Sequence, residues 1–388
     1  MKTKLIIFGM TGDLSQRKLL PALRDIVGTG EYEDLSIIGV SRREVSVQEI
    51  LGDVSDLASR TSAFTMDLAE PGDYRRLSDA INLSGDEQAL FYLSVPPSAA
   101  ADIVDFLGQA GLNTPNVKIL FEKPFGFDLE SATEFLERTG RYFKEEQLYR
   151  IDHYMAKEVT QHILKLRSNA ESHHHDWGFL TVNSIDIVAS EKIGVEGRGL
   201  FYEQTGALRD FIQGHLLQLL SLILMNMGDE PLAERRLKAL EQLQPADPTS
   251  ARRAQYEGYQ EEVRNPGSLT ETFASLELST AQQRWDGVHI RLITGKNLNE
   301  KRSYIEVAYK DGTSDVFEEG KIAATGRLKD AYERVLVDAI DGRKDIFTTG
   351  PEVLRAWEIV APVQEAWGMD NSPLPLYKPG VSFKDILS

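Results

Sequence analysis

Three groups of residues in this chain have types and spacings that can do chemistry. The first is Gly9-Met10-Thr11-Gly12-Asp13-Leu14, a glycine turn placed directly after the apolar run Lys4 to Phe8. Glycine at a strand-to-helix turn lets the backbone approach a pyrophosphate, and the following helix start offers N–H groups and a positive dipole. Thr11 occupies the middle position of the G-x-G-x-x-G pattern, so the fingerprint is incomplete and a plain tight turn is the competing reading. The second group is Arg42 and Arg43, which end a second apolar run, Leu35 to Val40. A dinucleotide site that takes NAD usually has an acidic residue there, whereas one that takes NADP has arginine for the 2′-phosphate. The alternative is a solvated basic pair.

The third group is Tyr149-Arg-Ile-Asp152-His153-Tyr154-Met-Ala-Lys157-Glu158. A helix starting near His153 would put His153 and Lys157 at i and i+4, on one face, where they could grip a phosphate. A solvated His–Lys pair explains the same spacing. Farther on, His215 sits in a helical pattern that is apolar on most sides. It is either a satisfied core histidine or a general base, and the second reading needs a carboxylate to orient the imidazole. Asp152 is a candidate for that carboxylate. The run His173-His174-His175 invites a metal, but adjacent residues do not face one ligand on a regular element, and the segment reads as a polar loop.

The elements that carry these residues fall into two rhythms. Up to about residue 150, apolar strands (4–8, 35–40, 63–68, 89–95, 117–121, 147–151) alternate with helical segments (14–26, 47–57, 73–81, 98–110). Asp128 then caps a helix running to about Phe143. Strict alternation predicts a Rossmann-type doubly wound parallel sheet. Beyond residue 150, long helical stretches (154–167, 207–227, 232–243) mix with alternating strands (181–189, 269–278, 287–294, 303–310), with a loop over 244–250. That pattern predicts an α+β domain with an antiparallel sheet. The expected division is therefore 1–150 for dinucleotide binding and 151–388 for substrate binding and oligomerisation.

Composition narrows the functions. The 388 residues carry 43 basic and 60 acidic side chains, a net charge of −17, which disfavours nucleic acid and anionic lipid as partners. The apolar run Leu216 to Met225 is broken by Gln218 and Ser221, so no membrane span is expected. The absence of cysteine excludes disulfides, thiol catalysis and Cys-ligated zinc, and fits a cytoplasmic enzyme.

Taken together, FGMTGDLSQRKLLPAL near the start, FEKPFG at 121–126, YRIDHYMAKE at 149–158, ASEKIGVEGRG at 189–199, FYEQTGALRDFIQGHLLQLL at 201–220 and RWDGVHIRLITGK at 284–296 resemble the glucose-6-phosphate dehydrogenase family. SLTETFASLEL at 268–278 and AYERVLVDAIDG at 331–342 extend the resemblance in order almost to the C-terminus. It implies oxidation of glucose 6-phosphate at C1 to a lactone, with hydride passed to NADP and NAD as a weaker second cofactor. It implies His215 as the general base and Asp152 as the carboxylate that orients it. His153, Tyr154, Lys157 and Lys301 match the 6-phosphate grip, and Glu191, Asp210 and Lys296 match the contacts to sugar hydroxyls. Lys123 matches the lysine between cofactor and sugar, and Lys18 a further contact. Gly9, Thr11, Gly12, Asp13, Leu14 and Arg42 match the cofactor side. No metal is implied.

The chain is shorter than a typical member, notably between Lys301 and Ala331, where the family has more sheet. A homodimer through the second domain's sheet is expected. A sugar oxidoreductase of the glucose-fructose oxidoreductase type and a non-catalytic nucleotide-binding paralogue are the alternatives.

Overall fold

The computed structural model describes residues 1–322 and 330–388. The chain divides into two compact units. One comprises Met1–Phe125, Thr133–Ala156 and Arg327–Gly350, the other Gly126–Ala132, Lys157–Gly326 and Pro351–Ser388. Among the described residues no helix is long and apolar enough to cross a membrane.

The first unit is built on strands β1 (Lys2–Phe8), β2 (Leu35–Ser41), β3 (Thr61–Thr65), β4 (Glu87–Leu93), β5 (Val117–Phe121) and β6 (Leu148–Ile151). They pair in parallel in the order β6-β5-β4-β1-β2-β3. Leu5 to Phe8 and Ala89 to Tyr92 are fully buried, as expected for strands covered on both faces. The chain leaves β1 toward β2 and β3, then returns to β4 on the other side. This reversal puts the end of β1 at the topological switch point, where open α/β sheets bind their ligands.

Residues 330–350, which the sequence reading gives to the second domain, belong to this first unit. The helix Ala331–Asp341 buries Val335, Leu336 and Ala339, and the short strand Phe347–Thr348 pairs antiparallel with β6. Its last carbonyls lack helical donors. The Gln88 amide donates to Ile340 O at 2.8 Å, and the Lys118 ammonium donates to Ala339 O at 2.6 Å. Periodicity announces this helix, but its anchors are polar side chains on strands over 200 residues away.

The second unit's sheet contains β7 (Val182–Ser190), β8 (Arg252–Tyr256), β9 (Phe273–Leu278), β10 (His289–Gly295), β11 (Arg302–Tyr309) and β12 (Ser314–Glu318). The order is β12-β11-β7-β10-β9-β8, continued by Leu376–Tyr377. Antiparallel pairs dominate, as expected, but β7 and β10 run parallel. That pair is where two of the expected site residues emerge. Helix Gly350–Met369 buries Trp357 and Val360 in the same unit. Its Glu352 forms a fully buried ion pair with Arg236, whose Nε lies 2.8 Å from Glu352 Oε1.

Candidate active site

At the end of β1, Gly9 has φ +75°, and a Cβ there would lie 2.1 Å from Ser94 O, so no other residue fits. The turn closes by Gly12 N–H donating to Gly9 O at 2.9 Å. Ser15 Oγ donates to the same carbonyl at 3.1 Å, and Gln16 Nε2 reaches Met10 O and Ile50 O. A helix begins at Asp13 and passes through a π segment, Ser15–Leu19, before Leu20–Gly28. Thr11 and Asp13 are exposed at the turn. Lys18, on the π segment, is exposed and makes no ion pair among the described residues. At the end of β2 the two arginines differ. Arg43 lies 3.4 Å from Glu49, whereas Arg42 is exposed and, among the described residues, has no ion-pair partner.

Lys123 follows β5 directly. Its neighbour Glu122, to which the sequence reading gave no role, accepts a hydrogen bond from the Tyr92 hydroxyl on β4. Burial pushes the Glu122 carboxyl up to about 7, against the pull of the Tyr92 hydrogen bond and the Lys123 ammonium and with some help from the Asp152 carboxylate. Glu122, Lys123 and Asp152 thus form one electrostatic group in the first unit. Nothing in the string EKP signals that its glutamate titrates near neutrality.

Asp152 is buried, and its Oδ1 accepts the Tyr154 N–H at 2.9 Å while its carbonyl accepts Met155 N–H at 3.0 Å. These bonds hold 153–156 in turns, and the helix starts only at Glu158. The expected helical i, i+4 pairing of His153 and Lys157 is therefore corrected. An aspartate that bonds its own following backbone competes with helix there. The His153 ring stacks on Tyr332 at 6.4 Å and meets buried Tyr154 edge-on at 4.9 Å.

In the second unit, Lys157 pairs with Glu319 at 2.9 Å. Asp210 and His215 lie on a second π segment, Leu208–Leu216. A π turn closes i→i+5 hydrogen bonds, so residues five apart share a face. On an α-helix they would be about 140° apart. His215 is 3% exposed, with Phe211 edge-on at 5.8 Å. The segment is set by a kink at Gly206, with φ +62° and ψ 178°. A Cβ at Gly206 would meet Glu271 Oε1 at 2.4 Å. That same oxygen accepts the Leu208 N–H at 2.9 Å and caps the segment's start. Burial raises the Glu271 carboxyl above its usual range, opposed by this backbone bond. Gly206 and Glu271 are positioning residues that the sequence reading did not identify, since neither a π turn nor a cap supplied from 63 residues away has a sequence signature.

The parallel register of β7 and β10 sets Ser190 opposite Gly295, so the next residues emerge side by side. Lys296, 2% exposed, forms an ion pair with Glu191 and lies 5.1 Å from the Tyr202 ring centroid. Lys301 is exposed just before β11 and makes no ion pair among the described residues.

Residues 6–162 match the family profile described as glucose-6-phosphate dehydrogenase, NAD binding domain. Residues 164–327 and 317–383 match glucose-6-phosphate dehydrogenase, C-terminal domain. The chain is 30% identical to glucose-6-phosphate 1-dehydrogenase of Rhizobium meliloti over 97% of its own length and 93% of the relative's. It is 32% identical to the Gluconobacter oxydans enzyme of that name, at the same coverage of both chains. The alignment with the Rhizobium protein spans 456 positions, more than the 388 residues here, so the relative carries insertions that this chain lacks. A solved structure of glucose-6-phosphate dehydrogenase in complex with its substrate glucose-6-phosphate superposes with a TM-score of 0.89 at 26% identity, covering 98% of this chain and 95% of the other.

Proposed function

This chain belongs to the glucose-6-phosphate dehydrogenase family, and from that premise we propose that it oxidises glucose 6-phosphate at C1 to 6-phosphogluconolactone with hydride transfer to NADP. The observation that carries the proposal is His215. It is a buried imidazole on a π segment that brings Asp210 to its face, with the segment's start fixed by Gly206 and Glu271. A base with an unperturbed pKa near 6.5 suits removal of a proton from the C1 hydroxyl near neutral pH.

In this reading Asp152 orients and stabilises that imidazole. His153, Tyr154, Lys157 and Lys301 hold the 6-phosphate. The Lys157–Glu319 pair implies that the phosphate competes with a carboxylate for the ammonium. Glu191 and Lys296 orient one another and, with Asp210, meet the sugar hydroxyls. Lys123 lies between cofactor and sugar. When bound, NADP supplies the hydride acceptor. The turn at Gly9 and the exposed Arg42 fit a dinucleotide whose 2′-phosphate needs a cation, and they support NADP over NAD. A homodimer through the second unit's sheet is part of the proposal. Its support is the β12 edge, where Val316 is 45% exposed and stands opposite Glu306.

The test is NADP reduction with glucose 6-phosphate against unphosphorylated glucose. Turnover with the phosphorylated sugar alone is expected. Turnover restricted to unphosphorylated sugars would transfer the chain to the glucose-fructose oxidoreductase type of chemistry, and light scattering showing a monomer at micromolar concentration would remove the dimer.

A further inference from the structure

The histidine run that reads as a polar loop comes together with a distant carboxylate. His173 Nε2 lies 3.3 Å and His174 Nε2 2.9 Å from the same oxygen, Asp315 Oδ2, on β12. The two imidazole nitrogens and the carboxylate oxygen all lie within 4.8 Å of one another. We propose that His173, His174 and Asp315 form a binding site for a divalent transition-metal ion of the zinc class.

Three observations support this. First, the spacing fits. With metal–ligand bonds of about 2.0–2.2 Å, neighbouring ligand atoms of a tetrahedral site are about 3.3 Å apart, close to the 3.3 and 2.9 Å found here. Two imidazoles and a carboxylate are also a donor set that leaves a fourth position for water, and they favour zinc-like ions over magnesium or calcium.

Second, the ligands have outer partners. Ser172 Oγ lies 2.7 Å from His174 Nδ1, so an Nδ1–H donated to serine turns the Nε2 lone pair toward Asp315. Tyr309 donates its hydroxyl to Asp315 Oδ2 at 2.5 Å, and is itself held by Trp177 Nε1–H at 2.9 Å.

Third, hydrogen bonding alone satisfies the cluster poorly. The ring centroids of His173 and His174 are 3.8 Å apart. If both rings donated through Nε2–H, one carboxylate oxygen would receive three donors, counting Tyr309. Two imidazolium ions at that ring separation would repel. A single metal ion replaces both protons and satisfies both lone pairs. The adjacency of His173 and His174, which argues against shared coordination on a helix or strand, is no obstacle here, because 169–177 is a turn-rich loop after helix Glu158–Ser168. A metal there would tie that loop to the edge strand of the second unit's sheet.

The test uses the full chain without an affinity tag, stripped with EDTA and gel-filtered. Zinc chloride is titrated by calorimetry, and cobalt chloride is followed by visible absorption for tetrahedral coordination. One equivalent of saturable binding is expected. Loss of an orienting outer-shell partner already costs about 10–100-fold in affinity, so His173→Ala and Asp315→Asn should each weaken binding at least tenfold. His173 is largely exposed, and Asp315→Asn keeps an oxygen for Tyr309, so both should retain the wild-type circular dichroism spectrum. His175→Ala should leave the affinity unchanged, because its Nδ1 faces Arg167 O at 2.8 Å instead. The proposal is overturned if the wild type takes up no zinc at millimolar concentration, showing that protons alone occupy the cluster. It is equally overturned if His173→Ala and Asp315→Asn bind as tightly as the wild type.

Discussion

Gly206 is the residue whose substitution should expose most about how the base is held. Its φ of +62° with ψ 178° is a conformation that only glycine adopts readily. Holding any other residue there costs about 1–3 kcal/mol in backbone strain. The added Cβ of Gly206→Ala would fall 2.4 Å from Glu271 Oε1 and 2.7 Å from its Cδ, so the carboxylate must move. Moving it breaks the 2.9 Å bond to Leu208 N–H, which leaves a buried group unsatisfied at a further cost of about 1–3 kcal/mol. The sum is about 2–6 kcal/mol. At roughly 2–4 °C per kcal/mol for a domain of 150–250 residues, the Tm should fall by about 4–24 °C. The assay is thermal denaturation followed by circular dichroism, paired with kcat well below the transition. Because the cap sits at the start of the His215 segment, kcat should fall even where the variant is fully folded. A variant within 1–2 °C of wild type, with unchanged kcat, would refute both the strain argument and the role given to Glu271.

Other expectations follow from single contacts. Glu122 is raised from 4.5 to about 7 in the folded protein, so its stabilising contribution is complete below about pH 4.5 and is lost as pH rises through about 7. Glu122→Gln should therefore gain stability relative to wild type across that window, and a Tm difference independent of pH would contradict the shift. Glu352→Ala removes the carboxylate of a fully buried ion pair with Arg236 and should cost about 3–5 kcal/mol in denaturant unfolding; a cost below about 1 kcal/mol would contradict the weight given to that pair. Arg42→Ala should raise the KM for NADP, by on the order of 1.5–3 kcal/mol in binding, and leave NAD nearly unchanged. An equal effect on both cofactors would show that Arg42 does not read the 2′-phosphate.

The parallel sheet was legible because its strands are buried on both faces and so read as unbroken apolar runs, as in Lys4 to Phe8 and Ala89 to Val95. Arg252–Tyr256 and Ser314–Glu318 were not legible as strands. The first opens on two arginines, the second lies at the sheet's edge, and neither carries a clean apolar face. The helix at 331–341 has clear periodicity, yet its assignment to the first unit comes from contacts distant in sequence, such as those of Gln88, Lys118 and Tyr32. The candidate chemistry-bearing residues are proposed from type and resemblance, while their positioning has no sequence signature. The late helix start after Asp152 depends on one Asx bond, and the shared face of Asp210 and His215 depends on a π turn. The meeting of His173 and His174 with Asp315 spans more than 140 residues of sequence.

The central claim is that His215 takes the C1 proton, and its most direct measurement is the turnover of His215→Asn at saturating glucose 6-phosphate and NADP. The account predicts a fall in kcat of roughly 10²–10⁴, with sugar-phosphate affinity kept because His153, Tyr154, Lys157 and Lys301 are unaltered. A variant that turns over near the wild-type rate would contradict it, and would reduce His215 to a histidine buried for packing.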